Sequence, residues 1–402
     1  MELILVLNCG SSSVKYTLFE LDHERQVAGG SVDRIGEGSS QLTHTGNSTA
    51  IQHPVDAADH TQALMQIHDV LLGPESGLDG GEVVGVGHRV VHGGESFVAS
   101  TPITAQVEQT IEEYFALAPL HNPPNLAGIR AARRYYPDVP HVAVFDTAFH
   151  QSMPEQAFLY ALPYELYREE HIRKYGFHGT SHRYVSMRAA EMLGAAQGFT
   201  GITCHLGNGC SLAAVRHGHS VDTSMGLTPL EGVVMGTRSG DIDPAIIFHL
   251  AERRGLSLQE INQLLQRKSG LLGLSGVSND MREVERAAAA GNHRAELALE
   301  VFAYRVRKYI GAYMAVLGRI DAVVLTGGIG ANGVDMRRRI LEGLDVLGMV
   351  FDAQRNQACR GREAEISAPG SPVRLLVIPT NEELLIARDT RDFVLQSRQA
   401  AP

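Results

Sequence analysis

Three glycine-rich stretches are the clearest places in this chain where backbone groups could do chemistry. They are NCGSSS at 8–13, HLGNGCS at 205–211 and TGGIGAN at 326–332, and each follows a short apolar segment. Small residues let several N–H groups approach one point, which is how a polypeptide can bind phosphate. One such stretch is usually an ordinary loop. Three of them, two about half a chain apart, favour a nucleotide whose phosphates are held by two related domains.

Two arginines are candidates for the cations that such a site needs. Arg89 follows a predicted strand in GHRVVHGG, and Arg238 lies in the glycine-rich loop MGTRSGD. The planar guanidinium matches both carboxylate and phosphate oxygens, and phosphoryl transfer depends on positioning and on spreading charge over the phosphoryl oxygens. Without its flanking motif, an arginine in such a loop would be interpreted as a solvated or ion-paired surface residue.

Several other polar residues allow more than one interpretation. Asp146 ends the apolar strand HVAVF, where an aspartate can cap a turn, act as a general base or orient a cation. His178 lies just before a predicted helix, and it could donate a hydrogen bond to a phosphoryl oxygen or simply pack. Lys15 lies on an alternating strand, where a solvated lysine is equally expected. His121 and His205 are weaker candidates that could only pack or support a loop.

Strands and helices interleave along the chain, which predicts an α/β fold. Strands are predicted at 3–7, 14–21, 83–86 and 141–146 and before the third glycine stretch. Helices are predicted at 56–72, 104–117, 180–193, 244–254, 257–266 and 294–317. Turn-rich sequence is expected from residue 22 to residue 50, and the division between the halves near 145–150.

The first two glycine stretches resemble each other, which predicts an internal duplication. Placing Gly209 on Gly10 gives an offset of 199 residues, close to half the chain, and puts Ser211 on Ser12. On that register both turns precede an alternating strand.

The composition excludes several classes of protein. The 402 residues carry a formal charge of −10, which argues against a broad nucleic-acid surface but not against a local cationic pocket. The four cysteines have no Cys-x-x-Cys spacing and are interpreted as reduced thiols. Neither a signal peptide nor the run of about 18 apolar residues that a membrane span needs is apparent. We therefore expect a cytoplasmic protein with no nucleic-acid or membrane partner.

Longer motifs, which occur in order from end to end, carry a resemblance to a known family. They are NCGSSSVKY, GHRVVHGGE, APLHNP, FDTAFH, YGFHGTSH, HLGNGCS, DTSMGLTPLEGVVMGTRSGDIDP, SNDMREV, TGGIGAN and PTNEELLIARDT. Together they resemble the acetate and propionate kinase family over nearly the whole chain. The resemblance implies a duplicated two-domain α/β fold of the sugar kinase, Hsp70 and actin type, with a nucleotide cleft between the domains. The implied domains are an N-terminal one of residues 1–146 plus 384–402 and a C-terminal nucleotide-binding one of residues 147–383.

The same resemblance implies reversible transfer of the γ-phosphoryl group of ATP to acetate, giving acetyl phosphate and ADP, with Mg²⁺ or Mn²⁺, in a homodimer. The implied catalytic residues are Asp146, His178 and Arg238, and the implied metal ligands are Asn8 and Glu382. The implied substrate pocket consists of Arg89, which would bind the carboxylate, and the apolar Val91, Leu120, Phe177 and Pro229. The implied ATP-binding residues are Lys15, His205, Leu206, Gly207, Asn208, Gly209, Asp280, Met281, Arg282, Gly328, Ile329, Gly330, Ala331 and Asn332.

Several alternatives stay open at this point. A propionate kinase of the same family would differ mainly in pocket volume, where a methylene is worth only about 1–3 kcal/mol. An Hsp70- or actin-like ATPase would need a peptide-binding domain or a polymer interface. Glu383 competes with Glu382 for the metal, and Ala331 replaces the glutamate that many relatives carry, which leaves side-chain contacts to the nucleoside open. Because a carboxylate substrate is already ionised at neutral pH, we expect Asp146 to orient Arg89 or a metal-bound water rather than to act as a base.

Overall fold

The computed structural model describes residues 1–46, 49–73, 76, 78 and 80–400. The chain forms two compact units, one of Met1–Phe149 with Asn381–Pro402 and one of His150–Thr380. Each unit contains one mixed β-sheet with helices packed on it.

The first unit is built on an eight-stranded sheet in the order β5-β4-β3-β2-β1-β6-β8-β7. Its strands are β1 (Glu2–Cys9), β2 (Ser13–Glu20), β3 (Gln26–Asp33), β4 (Ser40–Thr45), β5 (Ala50–Val55), β6 (Glu82–Val90), β7 (Thr101–Pro102) and β8 (His141–Phe145). Its helices are α1 (His60–Leu72), α2 (Ala105–Glu113), α3 (Asn122–Tyr135) and, from the chain end, α15 (Glu382–Ala400).

Strand β1 is covered on both of its faces. Leu5 and Leu7 lie in a core with α1 and α3, whereas Ile4 and Val6 lie in a second core with α15. Successive side chains of a strand point to opposite faces, and burial on both sides therefore requires the continuous apolar run that β1 has. Strand β6 runs parallel to both of its neighbours, β1 and β8. The C-terminal ends of these three strands therefore lie at the same edge of the sheet.

The second unit is built on a six-stranded sheet in the order β11-β10-β9-β12-β14-β13. Its strands are β9 (Gly201–Leu206), β10 (Cys210–Arg216), β11 (His219–Thr223), β12 (Ala322–Thr326), β13 (Ala364–Glu365) and β14 (Arg374–Val377). Its helices are α4 (Glu155–Phe158), α5 (Tyr164–Glu170), α6 (Gly179–Leu193), α7 (Ala245–Arg254), α8 (Leu258–Arg267), α9 (Gly270–Ser275), α10 (Met281–Ala289), α11 (His293–Leu317), α12 (Gly327–Asn332), α13 (Val334–Leu341) and α14 (Ala353–Gln357).

The two sheets share one topology, which supports the predicted duplication. In each, three antiparallel strands are followed by two parallel ones, so that β3-β2-β1-β6-β8 corresponds to β11-β10-β9-β12-β14. The register that we predicted for the duplication is wrong. The strand pairs that close the two hairpins are Cys9 with Val14 and Leu206 with Cys210. Superposing the strand ends therefore places Gly207, not Gly209, on Gly10.

Three details of secondary structure also differ from the sequence prediction. The stretch expected to be turn-rich contains β3 and β4, and β5 begins at its end. The glycines of β3 mask it in the sequence but are needed, since a Cβ on Gly30 would lie 2.1 Å from Thr43 O. Helix α1 begins at His60, later than predicted, because the Asp59 side chain caps it by accepting from Gln62 N–H (2.9 Å). The third glycine stretch is the short helix α12 rather than an open turn.

The cysteines are free thiols, as predicted. All four are buried and unpaired, and burial raises the pKa of Cys9 and of Cys210 to about 12, which makes these thiols poor nucleophiles. Within the described ranges, no helix has both the length and the apolar character that crossing a bilayer requires.

Candidate active site

Asp146 holds the side chain of Arg89 at the edge of the first sheet. Arg89 Nε donates to Asp146 Oδ1 (3.1 Å), Nη2 donates to Oδ2 (2.5 Å), and Nη1 donates to Asn8 Oδ1 (3.2 Å). The Asp146 side chain is 2% exposed and that of Arg89 is 24% exposed. Burial alone would lower the pKa of Arg89, but the negative charges around it outweigh burial and raise that pKa. The result is a permanent cation in a fixed orientation, with part of its surface open to an anion.

The structure distinguishes Glu382 from Glu383, although both open helix α15. Glu383 is exposed, whereas Glu382 is partly buried and interacts electrostatically with Arg89 and Asp146. Burial, helped by repulsion from Asp146 and Glu383 and opposed by Arg89, raises the pKa of Glu382 to about 7. A divalent cation would compensate this crowding of negative charge.

The oxygen donors of the first unit fit a magnesium ion. Asn8 and Glu382 offer an amide and a carboxylate oxygen, the ligand type that Mg²⁺ prefers, and the ion usually takes only one or two protein carboxylates together with substrate phosphates. Among the described residues, no group of three or more histidine, cysteine, aspartate or glutamate side chains is placed to enclose a metal. The donor set therefore matches a cation shared with a bound phosphate rather than a closed protein cage.

The first glycine turn joins β1 to β2 and leaves backbone donors unused. Gly10 N–H donates to Ser13 O (2.7 Å), and the Gly10 carbonyl lies 2.7 Å from His60 Nε2. The N–H groups of Ser11 and Ser12 have no acceptor among the described residues. Successive backbone N–H groups without an acceptor are the groups from which turns build anion-binding sites.

The second glycine turn brings together three predicted site residues. A Cβ added to Gly209 would lie 2.8 Å from Arg238 Nη2 and 3.3 Å from His178 Nε2, so glycine permits this close approach. Arg238 Nη1 donates to Pro229 O (2.6 Å), and burial lowers the pKa of Arg238, although an arginine remains charged in proteins. The N–H groups of Asn208 and Gly209 have no acceptor in the described part of the chain. The cluster therefore presents a cation, a histidine and two N–H groups.

His178 has an uncommon backbone conformation at the start of α6. Its φ is +57°, in the left-handed region that non-glycine residues adopt rarely and often at functional sites. Its Nδ1 lies 2.9 Å from Ser211 Oγ, and its ring stacks on that of His205 with centroids 4.3 Å apart. His205 Nδ1 lies 2.8 Å from Ser181 Oγ. With Nδ1 engaged, Nε2 is the ring nitrogen on the side of Gly209.

A cavity of about 500 Å³ lies in the second unit, within the size range of small-molecule sites. Segments far apart in sequence line it: the second glycine turn, the start of α10, and α12. Eight of the predicted ATP-binding residues line this cavity: Gly207, Asn208, Asp280, Met281, Arg282, Gly328, Ile329 and Asn332. The other predicted residues of this unit do not line it: His205, Leu206, Gly209, Gly330 and Ala331.

Packing beneath the cavity explains why α12 is rich in glycine. Gly327 has a φ of +74°, and a Cβ there would lie 2.6 Å from Leu206 O, so α12 lies directly against the end of β9. The fully buried Arg337 donates through Nη1 to the carbonyls of Gly330 and Ala331, both at 2.9 Å. Ala331 is itself buried, and it does not line the cavity.

Four residues that line the cavity were missed by the sequence prediction: Asn279, Glu285, Gly333 and Arg360. Glu285 Oε1 is buried and has no hydrogen-bond partner among the described residues. Burial, with repulsion from Asp335, raises the pKa of its carboxyl group. The only sequence signal that could have identified Glu285 as a cavity residue is its position directly after the motif SNDMREV. Asp280 differs from Glu285: it caps α10 and pairs with Arg282 (2.6 Å), which lowers its pKa to about 2.

The predicted apolar substrate residues are divided between the two units. Val91 is buried at the end of β6, and its N–H donates to Asn125 Oδ1 (3.0 Å); Leu120 is 61% exposed. Phe177 and Pro229 belong to the second unit. The structure therefore does not by itself join these four side chains into one pocket.

Two α/β units of matching topology, each with an arginine and a phosphate-type turn, define a two-domain phosphotransferase. The chain belongs to the acetokinase family, whose sequence model matches residues 3–388.

Curated relatives agree with this assignment over nearly the full length. The chain is 53% identical over 397 residues to the acetate kinase of Desulfitobacterium hafniense, covering 97% of this chain and 99% of that one. It is 52% identical over 395 residues to the acetate kinase of Methanosarcina barkeri, covering 97% of each chain.

Solved structures show the same fold. Porphyromonas gingivalis acetate kinase matches with a TM-score of 0.94 at 46% identity, covering 98% of this chain and 100% of that one. A propionate kinase of Francisella tularensis matches with a TM-score of 0.91 at 44% identity and the same coverage. The predicted fold class and family are thus confirmed.

Proposed function

We propose that this chain transfers the γ-phosphoryl group of ATP reversibly to acetate, giving acetyl phosphate and ADP. Beyond family membership, one observation carries the proposal: Arg238, His178 and the free N–H groups of the second glycine turn form one cluster. The same turn lines the cavity of about 500 Å³, which has room for the nucleoside. Cations and N–H donors next to a nucleoside pocket are what phosphoryl transfer requires.

In this proposal Arg89 binds the acetate carboxylate. Its guanidinium donates two hydrogen bonds to Asp146, and these bonds fix the plane in which the guanidinium can bind a substrate carboxylate. Acetate is ionised at neutral pH and has no proton to lose. Asp146 therefore acts by orienting Arg89 and not by accepting a proton from the substrate.

Arg238 and His178 act on the group in transfer. The transition state of phosphoryl transfer spreads negative charge over three equatorial oxygens. Arg238 supplies a fixed positive charge beside Gly209, and His178 supplies an N–H donor on the same side. Preorganised donors of this kind stabilise the transition state because they need no rearrangement as charge develops.

Mg²⁺ would be held by Asn8 and Glu382 and would neutralise charge on the ATP phosphates. ATP binding uses residues of both units. In the first unit these are the turn at Ser11 and Ser12 and Lys15, which is exposed and pairs with Asn8 across the β1–β2 hairpin. In the second unit they are the cavity residues and the N–H groups of Asn208 and Gly209.

The substrate pocket is proposed to hold the acetate methyl group against Val91, Leu120, Phe177 and Pro229. Propionate is the nearest competing substrate, since it is longer by one methylene, which is worth about 1–3 kcal/mol.

A substrate panel with hydroxylamine trapping tests the proposed reaction. Purified protein with ATP and Mg²⁺ should form acyl hydroxamate from acetate, less from propionate and least from butyrate, and none when the divalent cation is chelated. The Arg238→Ala variant is the matched control for background chemistry. Release of phosphate from ATP without any acyl phosphate would instead support an Hsp70- or actin-like ATPase.

We also propose a cytoplasmic homodimer. The four free thiols suit a reducing compartment. No residue of α7 is buried, and Ile246 and Phe248 on it are 41% and 66% exposed, which supports an interface at this helix. Sedimentation should show a dimer at micromolar concentration, shifted toward monomer by Phe248→Asp. A monomeric wild type would contradict the proposal.

A further inference from the structure

Behind His178, a line of hydrogen bonds runs into the core of the second unit. His178 Nδ1 lies 2.9 Å from Ser211 Oγ, and Ser211 Oγ lies 2.7 Å from His182 Nε2. His182 Nδ1 lies 2.7 Å from Thr203 Oγ1. Ser211, His182 and Thr203 have no exposed surface. We call these four side chains the histidine relay.

The fold places the relay between the start of α6 and the β9–β10 hairpin. His178 immediately precedes α6 and His182 lies in its first turn, and both rings are within hydrogen-bond distance of Ser211 Oγ. Ser211 pairs with His205 across the β9–β10 hairpin, and Thr203 is two residues before His205. Alternate residues of a strand share a face, and the two hydroxyls therefore lie on the face of the sheet on which α6 packs.

The protons of the relay can be counted. Burial holds the pKa of His182 well below its ordinary value, and nearby histidines lower it further, so this ring is neutral, with one donor and one acceptor nitrogen. Thr203 Oγ1 has no other side-chain or backbone partner among the described residues. Its proton is therefore satisfied only when it donates to His182 Nδ1.

This first bond sets the direction of all the others. With Nδ1 as acceptor, His182 carries its proton on Nε2 and donates it to Ser211 Oγ. Ser211 then donates its single hydroxyl proton to His178 Nδ1. The opposite direction would leave the Thr203 hydroxyl proton buried without an acceptor, which is unfavourable.

We propose that Thr203, His182 and Ser211 are positioning residues that keep His178 protonated on Nε2. The N–H then points from the side of the ring that faces Gly209, and it remains a donor even while the imidazole is neutral. The inference rests on the proposed role of His178 as a hydrogen-bond donor to the phosphoryl group. It adds that Thr203, which is separated from His178 by two intervening side chains, decides whether that donor exists.

The sharpest test removes only the proton at the start of the relay. Thr203→Val keeps the shape of the side chain and deletes the hydroxyl, whereas Thr203→Ser restores it. The tautomer is read by ¹⁵N NMR of the full-length protein labelled at histidine, with the His178 signals assigned by comparison with His178→Asn. Ser186→Ala is the matched control, because Ser186 Oγ donates to the backbone carbonyl of His182 and does not belong to the relay (2.7 Å).

We expect the wild type and Thr203→Ser to show His178 protonated on Nε2 alone. Thr203→Val should show both tautomers, with kcat lower by about twofold to tenfold, because part of the population lacks the donor. Ser211→Ala, which also frees the ring to turn, should lower kcat by about 10- to 100-fold. Ser186→Ala should match the wild type in both measurements.

Two results would overturn the relay: His178 protonated on Nδ1 in the wild type, or an unchanged tautomer in Thr203→Val. Melting curves show whether each variant is folded. If Ser211→Ala does not fold, the comparison of Thr203→Val with Thr203→Ser still tests the relay. Failure of the proposed function gives a different result: the tautomer shifts in Thr203→Val, yet His178→Asn keeps the wild-type rate. That outcome would remove His178 from the mechanism.

Discussion

The Asp146→Asn variant tests how this protein uses the ion pair between Arg89 and the buried Asp146. Asparagine keeps the shape of the side chain but replaces one acceptor oxygen by an N–H₂ group. That group cannot accept from the guanidinium, so one of the two bonds to Arg89, 3.1 Å at Nε or 2.5 Å at Nη2, must be lost. A hydrogen bond to a charged group contributes about 1.5–3 kcal/mol, and a misplacement of about 1 Å costs roughly 10²-fold in rate. We expect kcat to fall by about 10²–10³-fold.

The assay is the rate of acetyl phosphate formation between about pH 6 and pH 8 for the wild type, Asp146→Asn, Arg89→Ala and the double variant. Since acetate has no proton to lose in this range, the loss in Asp146→Asn should be similar at every pH. If Asp146 acts through Arg89, the double variant should be no slower than Arg89→Ala alone. Asp392→Asn, which breaks only an exposed ion pair with Arg391, should keep the wild-type rate.

Two outcomes would refute the orienting role. A general base would give the wild type a falling rate below some pKa, and this limb would disappear in Asp146→Asn. A base would also act independently of Arg89, so the two single losses would multiply in the double variant. Near-normal activity of Asp146→Asn would leave the residue as a structural cap.

The remaining predictions concern the metal, the second glycine turn and the substrate pocket. Glu382→Gln should raise the Mg²⁺ concentration needed for half-maximal rate more than Glu383→Gln does, because only Glu382 is enclosed with other charges of the site. Titration with Mg²⁺ measures this concentration for both variants. The reverse order would assign the metal to Glu383. Gly209→Ala should lower kcat by about 10- to 100-fold, since its methyl group would displace the guanidinium 2.8 Å away. Gly311→Ala, whose methyl group meets nothing within 4 Å, is the control, and equal rates in both would contradict the argument. Val91→Ala should shift kcat/KM toward propionate by roughly tenfold, and an unchanged ratio would place this residue outside the pocket.

Local sequence determined much of this protein because local physics leaves few choices. An apolar run of five residues followed by NCGSSS could hardly be anything other than a buried strand and a small-residue turn, and β1 and the Ser11–Ser12 turn are found there. The amphipathic spacing of 294–317 likewise predicted α11, with Phe302 and Ile310 in its buried stripe. The ordered motifs identified the family, since a long series of matched segments specifies one fold and one chemistry.

Tertiary structure decided what depends on contacts between distant residues. Strand β3 was missed because its glycines suppress strand propensity, and they are tolerated because a neighbouring strand leaves no room for a side chain at Gly30. The hairpin register was wrong, since a turn of four residues and one of three cannot be aligned by their letters. Glu382 and Glu383 are chemically identical in sequence, and only packing of α15 beside Arg89 distinguishes them.

The same reason explains the cavity and the histidine relay. Glu285 lines the cavity with residues more than 40 positions away, and no local pattern marks it. Thr203 is an ordinary strand residue in the sequence; it controls a proton only because β9 places its hydroxyl 2.7 Å from His182. The sequence determined which chemical groups this protein has. Folding determined which of them form hydrogen bonds, interact electrostatically or hold a buried proton.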